Sequence, residues 1–414
     1  MIFLAGLVVY AGYGLTGLVV LLAAVGLTYV LGLLIPKRPW LMWAGVVGWG
    51  LLLTVLKVQS AFQAPFLSVM GMSYFTLQII SYLVDVRKGK YPPERNLFRF
   101  ALYLTYLPHL FIGPIERYDA MAPRLQSRRI TWEGILSGGA RALWGGFKKL
   151  VIAARAGVIV GAISAEPEKY RGGFALCAML LYSVQLYADF SGGMDMVLGL
   201  SEMLGLPLSE NFDRPYFSES VQEFWKRWHI TLGAWLRDYV YIPLGGSRKG
   251  MIRKVLNTLV TFLVSGLWHG VNYLLWGLLN GLFVCFGGKC KTRWKSLNRV
   301  GTFLVITLLW SFFIWPDPLT ALEMVGSLFT DFSYGSLAAG LAGMGLSVGD
   351  WIVFAAASAL LWLYDWKMPL IHARLRAMPD WGKTAVICAL APLVLVFGRY
   401  GLGFQTEAFI YSRF

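Results

Sequence analysis

Two histidines carry most of the chemistry this sequence can offer. His269 lies in Ser265-Gly266-Leu267-Trp268-His269-Gly270, inside residues 255–288, a run of 34 residues without one Asp, Glu, Lys or Arg. An imidazole in such a run is costly unless it has a partner, water or a task. Its ordinary pKa also suits it to proton transfer near neutral pH. His229 lies in Glu223-Phe224-Trp225-Lys226-Arg227-Trp228-His229-Ile230-Thr231-Leu232, among cations that would depress its pKa. Of the two remaining histidines, His109 reads as structural and His372 as a solvated residue of a basic, Pro-bounded loop.

Two kinds of proton chemistry fit the pair. In the first, His269 is the general base on an acceptor hydroxyl that attacks an activated acyl group. His229, or polar groups beside it, then orients a reactant or stabilises the oxyanion. The sequence has no Gly-x-Ser-x-Gly elbow and no Cys next to a His, so direct attack without an acyl-enzyme is the simpler scheme. In the second, the chain is a proton-coupled transporter, since intramembrane Asp and His can relay protons. Such folds often show internal repeats with paired broken helices, and none is found. Two well-separated histidines without a third ligand give weak support for a metal, so no metal site is expected.

The elements that must hold these residues are membrane helices. The 414-residue chain is 57% hydrophobic and only 14% charged, with a mean hydropathy of +0.59; soluble proteins carry roughly 25% charge. There are 37 Lys and Arg against 22 Asp and Glu. The basic residues cluster at the edges of apolar runs, which favours topology and anionic-lipid contact over nucleic acid. The four cysteines are scattered and read as small apolar fillers. The N-terminus opens without a charged region and reads as a retained span.

Residues 1–35 carry no charge, and at about 1.5 Å per residue they exceed a hydrocarbon core of roughly 30 Å. They form either two segments broken near Gly12-Tyr13-Gly14 or one long tilted span. Block 255–288 is also too long and should turn near Gly270-Val271-Asn272. The apolar runs together give roughly nine to twelve membrane or re-entrant segments. Between residues 187 and 250 the apolar signal breaks down, interrupted by Asp189 and Asp195, while aromatics stay dense. Residues 223–240 fit an amphipathic helix lying in the membrane interface. The expected layout is a single domain over 1–414: a helical scaffold at 1–186, a polar catalytic core at 187–286 and C-terminal helices at 300–414.

A set of ordered motifs runs through this framework. Met72-Ser73-Tyr74-Phe75-Thr76-Leu77-Gln78 with Ser81 through Val86 comes first, then Gly113-Pro114-Ile115-Glu116-Arg117-Tyr118. Tyr187-Ala188-Asp189-Phe190-Ser191-Gly192-Gly193-Met194-Asp195 and Glu210-Asn211-Phe212-Asp213-Arg214-Pro215-Tyr216 follow. The series ends with Glu223 through Leu232, Trp235-Leu236-Arg237-Asp238-Tyr239, Tyr241 through Gly246, and the Trp268-His269-Gly270 element. Over roughly residues 7 to 330 this order resembles the membrane-bound O-acyltransferase superfamily, in its bacterial alginate O-acetylation branch.

The resemblance implies an all-α polytopic protein around a central funnel or tunnel, in the cell membrane. It places the catalytic histidine at His269 and a second functional histidine at His229. Asp189, Asn211, Glu223, Arg227, Trp228, Arg237, Asp238 and Trp268 are candidates for substrate, tunnel or electrostatic support. The implied reaction passes an acyl group, typically acetyl, from a cytoplasmic thioester, acetyl-CoA or an acyl carrier protein, with no bound cofactor. The acceptor is an extracytoplasmic polysaccharide, reached directly or through a secreted acyltransferase partner. Two departures stand out: no apolar segment precedes Ala5, and Pro108-His109 replaces the branch's Pro-Gln. The teichoic-acid D-alanyltransferase membrane protein shares both Trp-His elements and is the alternative.

Overall fold

The computed structural model describes residues 2–61, 71–108, 112–290, 292–331 and 336–400; His109 lies outside them. Among the described residues every regular element is helical. The one extended pairing is an isolated antiparallel bridge between Phe212 and Trp228. In a bilayer each backbone polar group must be satisfied within its own segment, which favours helices. Seven helices among the described residues are long and apolar enough to cross a membrane: Leu15–Leu34, Leu41–Gln59, Gly173–Met203, Gly250–His269, Lys295–Ile314, Val348–Leu375 and Asp380–Phe397. The remaining apolar blocks form shorter helices, including the almost wholly buried Met72–Arg87. The chain is thus an all-α polytopic membrane protein.

The first apolar block breaks at Gly14, whose φ of 148° ends Ile2–Tyr13 and starts Leu15–Leu34. Two other expectations are corrected. His372 is not in a loop, because the Val348–Ala377 helix continues through Pro369 and its imidazole meets the Tyr364 hydroxyl at 2.8 Å. The boundary drawn at residue 186 falls inside one continuous helix, Gly173–Met203.

That helix is the centre of the bundle. Of its most apolar stretch 67% is buried, against 11% for the peripheral Asp380–Phe397. It runs unbroken through Asp189 and Asp195 because a neighbouring element supplies cations. Lys148 Nζ donates to Asp195 Oδ2 at 2.7 Å and to Ser191 Oγ at 2.9 Å. Arg141 Nε donates to Asp195 Oδ1 at 2.9 Å, and its two terminal nitrogens clamp Glu210 at 2.7 and 2.6 Å. Lys149 pairs with Asp189. These cations sit on Trp132–Phe147 and on the π-helical turn Lys148–Ala153 that follows it.

The two elements approach closely enough for those side chains to meet. A Cβ at Gly192 would lie 2.7 Å from the Gly145 carbonyl oxygen, and Gly138 and Gly199 face each other in the same way one heptad along. Small residues permit this kind of crossing between membrane helices. Because Asp195 compensates two cations, Asp195→Ala is expected to destabilise the bundle by about 3 kcal/mol, the lower end for breaking a buried pair. The check is the denaturation midpoint in detergent; an unchanged midpoint would show that Glu210 and Ser191 suffice.

Candidate active site

His269 is placed by a helical hairpin. The Gly250–His269 helix closes its last turn with Gly270 N–H donating to the Gly266 carbonyl at 3.0 Å. Gly270 then takes φ 148°, a region that favours glycine, and the chain enters a single 3₁₀ turn, Val271–Tyr273. Leu274–Phe286 packs back against the first helix. Their contact depends on Gly266, where a Cβ would sit 2.6 Å from the Tyr273 carbonyl oxygen. The turn expected near Gly270-Val271-Asn272 is therefore present, and it puts His269 at the hairpin's tip.

The imidazole is 4% exposed and walled by rings. Trp268, Trp276, Phe313 and Tyr273 surround it with centroids at 4.8, 5.4, 5.4 and 6.2 Å, all edge-to-face. Trp268 is itself fixed: its Nε1 donates to the Ser73 carbonyl at 3.3 Å and its ring lies 5.9 Å from Tyr74. The Met72–Arg87 helix also accepts Trp235 Nε1 at the Leu77 carbonyl (2.8 Å) and the Tyr239 hydroxyl at Asp85 (2.8 Å). The early motif and the Trp235–Tyr239 motif thus form one contact surface.

His229 is placed differently, and the expected interfacial helix over 223–240 is absent. The segment is two short helices, Val221–Arg227 and Ile230–Leu236, then a π-helical turn, Arg237–Tyr241. The break is at His229, with φ 46° and ψ 55°. A left-handed backbone costs a residue with a Cβ roughly 1–2 kcal/mol. Tertiary pairing supplies the compensation: Phe212 bridges Trp228, Asp213 N–H donates to the Arg227 carbonyl at 3.0 Å, and Ile230 N–H donates to the Asn211 carbonyl at 3.0 Å. The apolar stripe faces protein rather than lipid, since Phe224, Trp228, Leu232 and Trp235 are all buried. Trp228 lies 5.1 to 5.4 Å from Phe212, Phe224 and Trp310.

The His229 ring lies edge-to-face on Phe190 at 5.0 Å and on Trp268 at 6.1 Å. Burial, rather than the expected neighbouring cations, pushes its pKa down to about 3. His229 holds the N-cap position of Ile230–Leu236 without capping it. Asn211 does so from another segment, its Oδ1 accepting Thr231 N–H at 2.9 Å and Thr231 Oγ1–H at 2.8 Å.

Of the residues singled out from sequence, His229, Trp268 and His269 form one cluster, joined by the Trp268 ring. Trp228 shares the Phe190 ring with His229, and Asn211 holds Thr231, two residues further along. Glu223 serves its own helix, pairing with Arg227 at 2.7 Å and accepting Glu219 N–H at 2.9 Å. Arg237 is exposed and pairs with Asp238 at 2.8 Å, which also meets Arg117 at 3.5 Å. Asp189 is engaged by Lys149. Sequence pattern alone does not mark Trp276, Trp310 and Phe313, which arrive from two elements, Leu274–Phe286 and Lys295–Ile314. Nor does it mark Lys57, a buried lysine on the Leu41–Ala61 helix, which packs against Gly250–His269. Only its charge signals Lys57: it is the one charged residue between 41 and 84.

The profile of MBOAT, the membrane-bound O-acyltransferase family, matches residues 93–322, a span that contains both histidines. The chain belongs to the membrane-bound O-acyltransferase family. The likeness includes the alginate O-acetylation branch read from the ordered motifs. It is 34% identical over 386 residues to a Pseudomonas fluorescens protein named probable alginate O-acetylase AlgI, covering 88% of this chain and 77% of that one. It is 32% identical over 281 residues to a Helicobacter pylori peptidoglycan O-acetyltransferase, covering 59% of this chain and 53% of the relative. A Bacillus subtilis teichoic acid D-alanyltransferase is 28% identical over 265 residues, covering 59% of this chain and 67% of the relative. For a membrane-bound O-acyltransferase, a buried aromatic cluster holding two imidazoles is a place where a hydroxyl proton can be handled away from bulk water.

Proposed function

We propose that this membrane-bound O-acyltransferase transfers an acetyl group from a cytoplasmic thioester to a hydroxyl of a cell-surface polysaccharide, across the cell membrane. The observation that carries the reading is the cluster itself: two imidazoles on one tryptophan ring, one at the tip of a membrane helix and one at a strained break. In the proposed step, His269 accepts the acceptor's hydroxyl proton as the oxygen attacks the thioester carbonyl. The C–O bond forms, the C–S bond breaks, and the thiolate leaves and takes up the proton. His229 orients a reactant or stabilises the developing oxyanion. A tunnel lets the donor stay in the cytoplasm while the acceptor comes from outside, directly or through a secreted acyltransferase partner. The excess of basic residues contacts anionic lipid at the interface.

Acetyl is favoured over D-alanyl by the longer and closer match to the alginate branch. The experiment is to label the cytosolic acetyl thioester pool and follow the label to the surface polymer. Ester-linked acetyl that depends on this protein is expected. Ester-linked alanine would select the D-alanyltransferase reading. Solute movement through purified protein in liposomes without any acyl donor would replace both with the transporter.

A further inference from the structure

The Gly113–Glu116 loop sits far in sequence from both histidines, yet it holds the chain around one of them. Ile115 N–H donates to Thr231 Oγ1 at 3.0 Å, and Thr231 Oγ1–H donates to Asn211 Oδ1 at 2.8 Å. The Glu116 carboxylate accepts Ser209 N–H at 2.5 Å, and its carbonyl accepts the Tyr103 hydroxyl at 3.1 Å. Arg124, which reaches Glu116 at 3.5 Å, also donates to the Pro207 carbonyl at 3.0 Å. So one loop grips Ser209 and Thr231, just outside the paired stretches 211–213 and 227–230 that flank the left-handed backbone of His229. Ile115, Glu116, Asn211 and Thr231 are all buried, where a lost partner leaves a desolvated polar group.

We infer that Thr231 is a positioning residue for acyl transfer: its hydroxyl is the joint through which the Gly113–Glu116 loop fixes the backbone that carries His229. A hydroxyl is needed because the site requires one acceptor, for Ile115 N–H, and one donor, for Asn211 Oδ1; a single Ser or Thr oxygen provides both. Asn211 caps the Ile230–Leu236 helix in place of the N-cap residue. The imidazole of His229 is thereby turned to Phe190 and Trp268 instead of being spent on the helix end. This inference rests on the proposed role of the two histidines.

The test compares Thr231→Val, which keeps shape and removes the hydroxyl, with Thr231→Ser, which keeps the hydroxyl. Two quantities are measured in the full-length protein: labelled acetyl transferred to surface polymer per molecule of membrane-inserted protein, and the ¹⁵N NMR signals of the histidine rings in nanodiscs. Thr231→Val is expected to lower transfer by about 10- to 100-fold, the scale of a displacement near 1 Å, and to move the His229 signals while leaving those of His372 in place. Thr231→Ser is expected to restore both. Unmoved His229 signals in Thr231→Val, or moved signals with normal transfer, would overturn the inference. The NMR arm needs no turnover, so a wrong assignment of the reaction is recognised separately, by full transfer in His269→Gln.

Discussion

His269→Gln is expected to lose acyl transfer by about 10²- to 10⁴-fold, the contribution of a well-placed general base. Gln is chosen because it keeps a polar side chain of moderate size between the rings of Trp268, Trp276 and Phe313, whereas Ala would open a cavity among them. The protein should therefore insert and accumulate as before, and surface-polymer acetylation should fall to background. The loss should appear as turnover rather than as donor affinity, because the missing interaction exists only while the proton moves. Transfer within a few-fold of the parent would remove His269 from the chemistry. The ring cage would then be a packing feature at the end of a hairpin.

The second large effect concerns His229, where backbone and side chain must be separated. Ala at this position would lose the imidazole and still have to adopt φ 46°. Asn accepts the left-handed region several-fold more readily than most residues. His229→Asn is therefore expected to preserve the chain path between Trp228 and Ile230 and lose only the ring. We expect transfer to fall by about 10²-fold, the size seen when one oxyanion-stabilising donor is removed. Folding, followed by the denaturation midpoint, should stay close to the parent, while His229→Val, β-branched in a left-handed conformation, should lower it. Parent-level transfer in His229→Asn would assign the residue a purely local structural role.

Much of this site was legible in the sequence where the signal was local. Glycine marks breaks directly, so the bend at Gly14 and the hairpin at Gly270 could be placed to within a residue or two. A lone imidazole in an uncharged run stands out by cost alone. What could not be read locally was the break at His229. No glycine or proline stands at residues 227–230, and the apolar spacing from Phe224 to Tyr239 is that of one amphipathic helix. The pairing with Asn211, Phe212 and Asp213 overrides it, and pairing between distant segments leaves no periodicity to detect. The same holds for the cage of His269. Trp276, Phe313 and Tyr273 belong to a re-entering helix, a different span and a 3₁₀ turn, and only the folded chain brings them together. His372 was misplaced for the opposite reason: Pro369 looks like a boundary, but a long membrane helix can carry a proline through.

The ion pairs along Gly173–Met203 also bear on how the protein reaches its membrane. Asp at the middle of an isolated helix costs about 2.5–3.5 kcal/mol to insert, and this helix carries both Asp189 and Asp195. Alone it is a poor candidate for release into lipid. Its partners, Arg141, Lys148 and Lys149, are all synthesised first, on the preceding stretch that ends at Ala165. The order of the chain therefore allows the two stretches to neutralise one another during insertion and to enter the bilayer as a pair. Reversing the sign of Lys148 would then be felt during biogenesis, as failed integration of Gly173–Met203, before any question of catalysis arises.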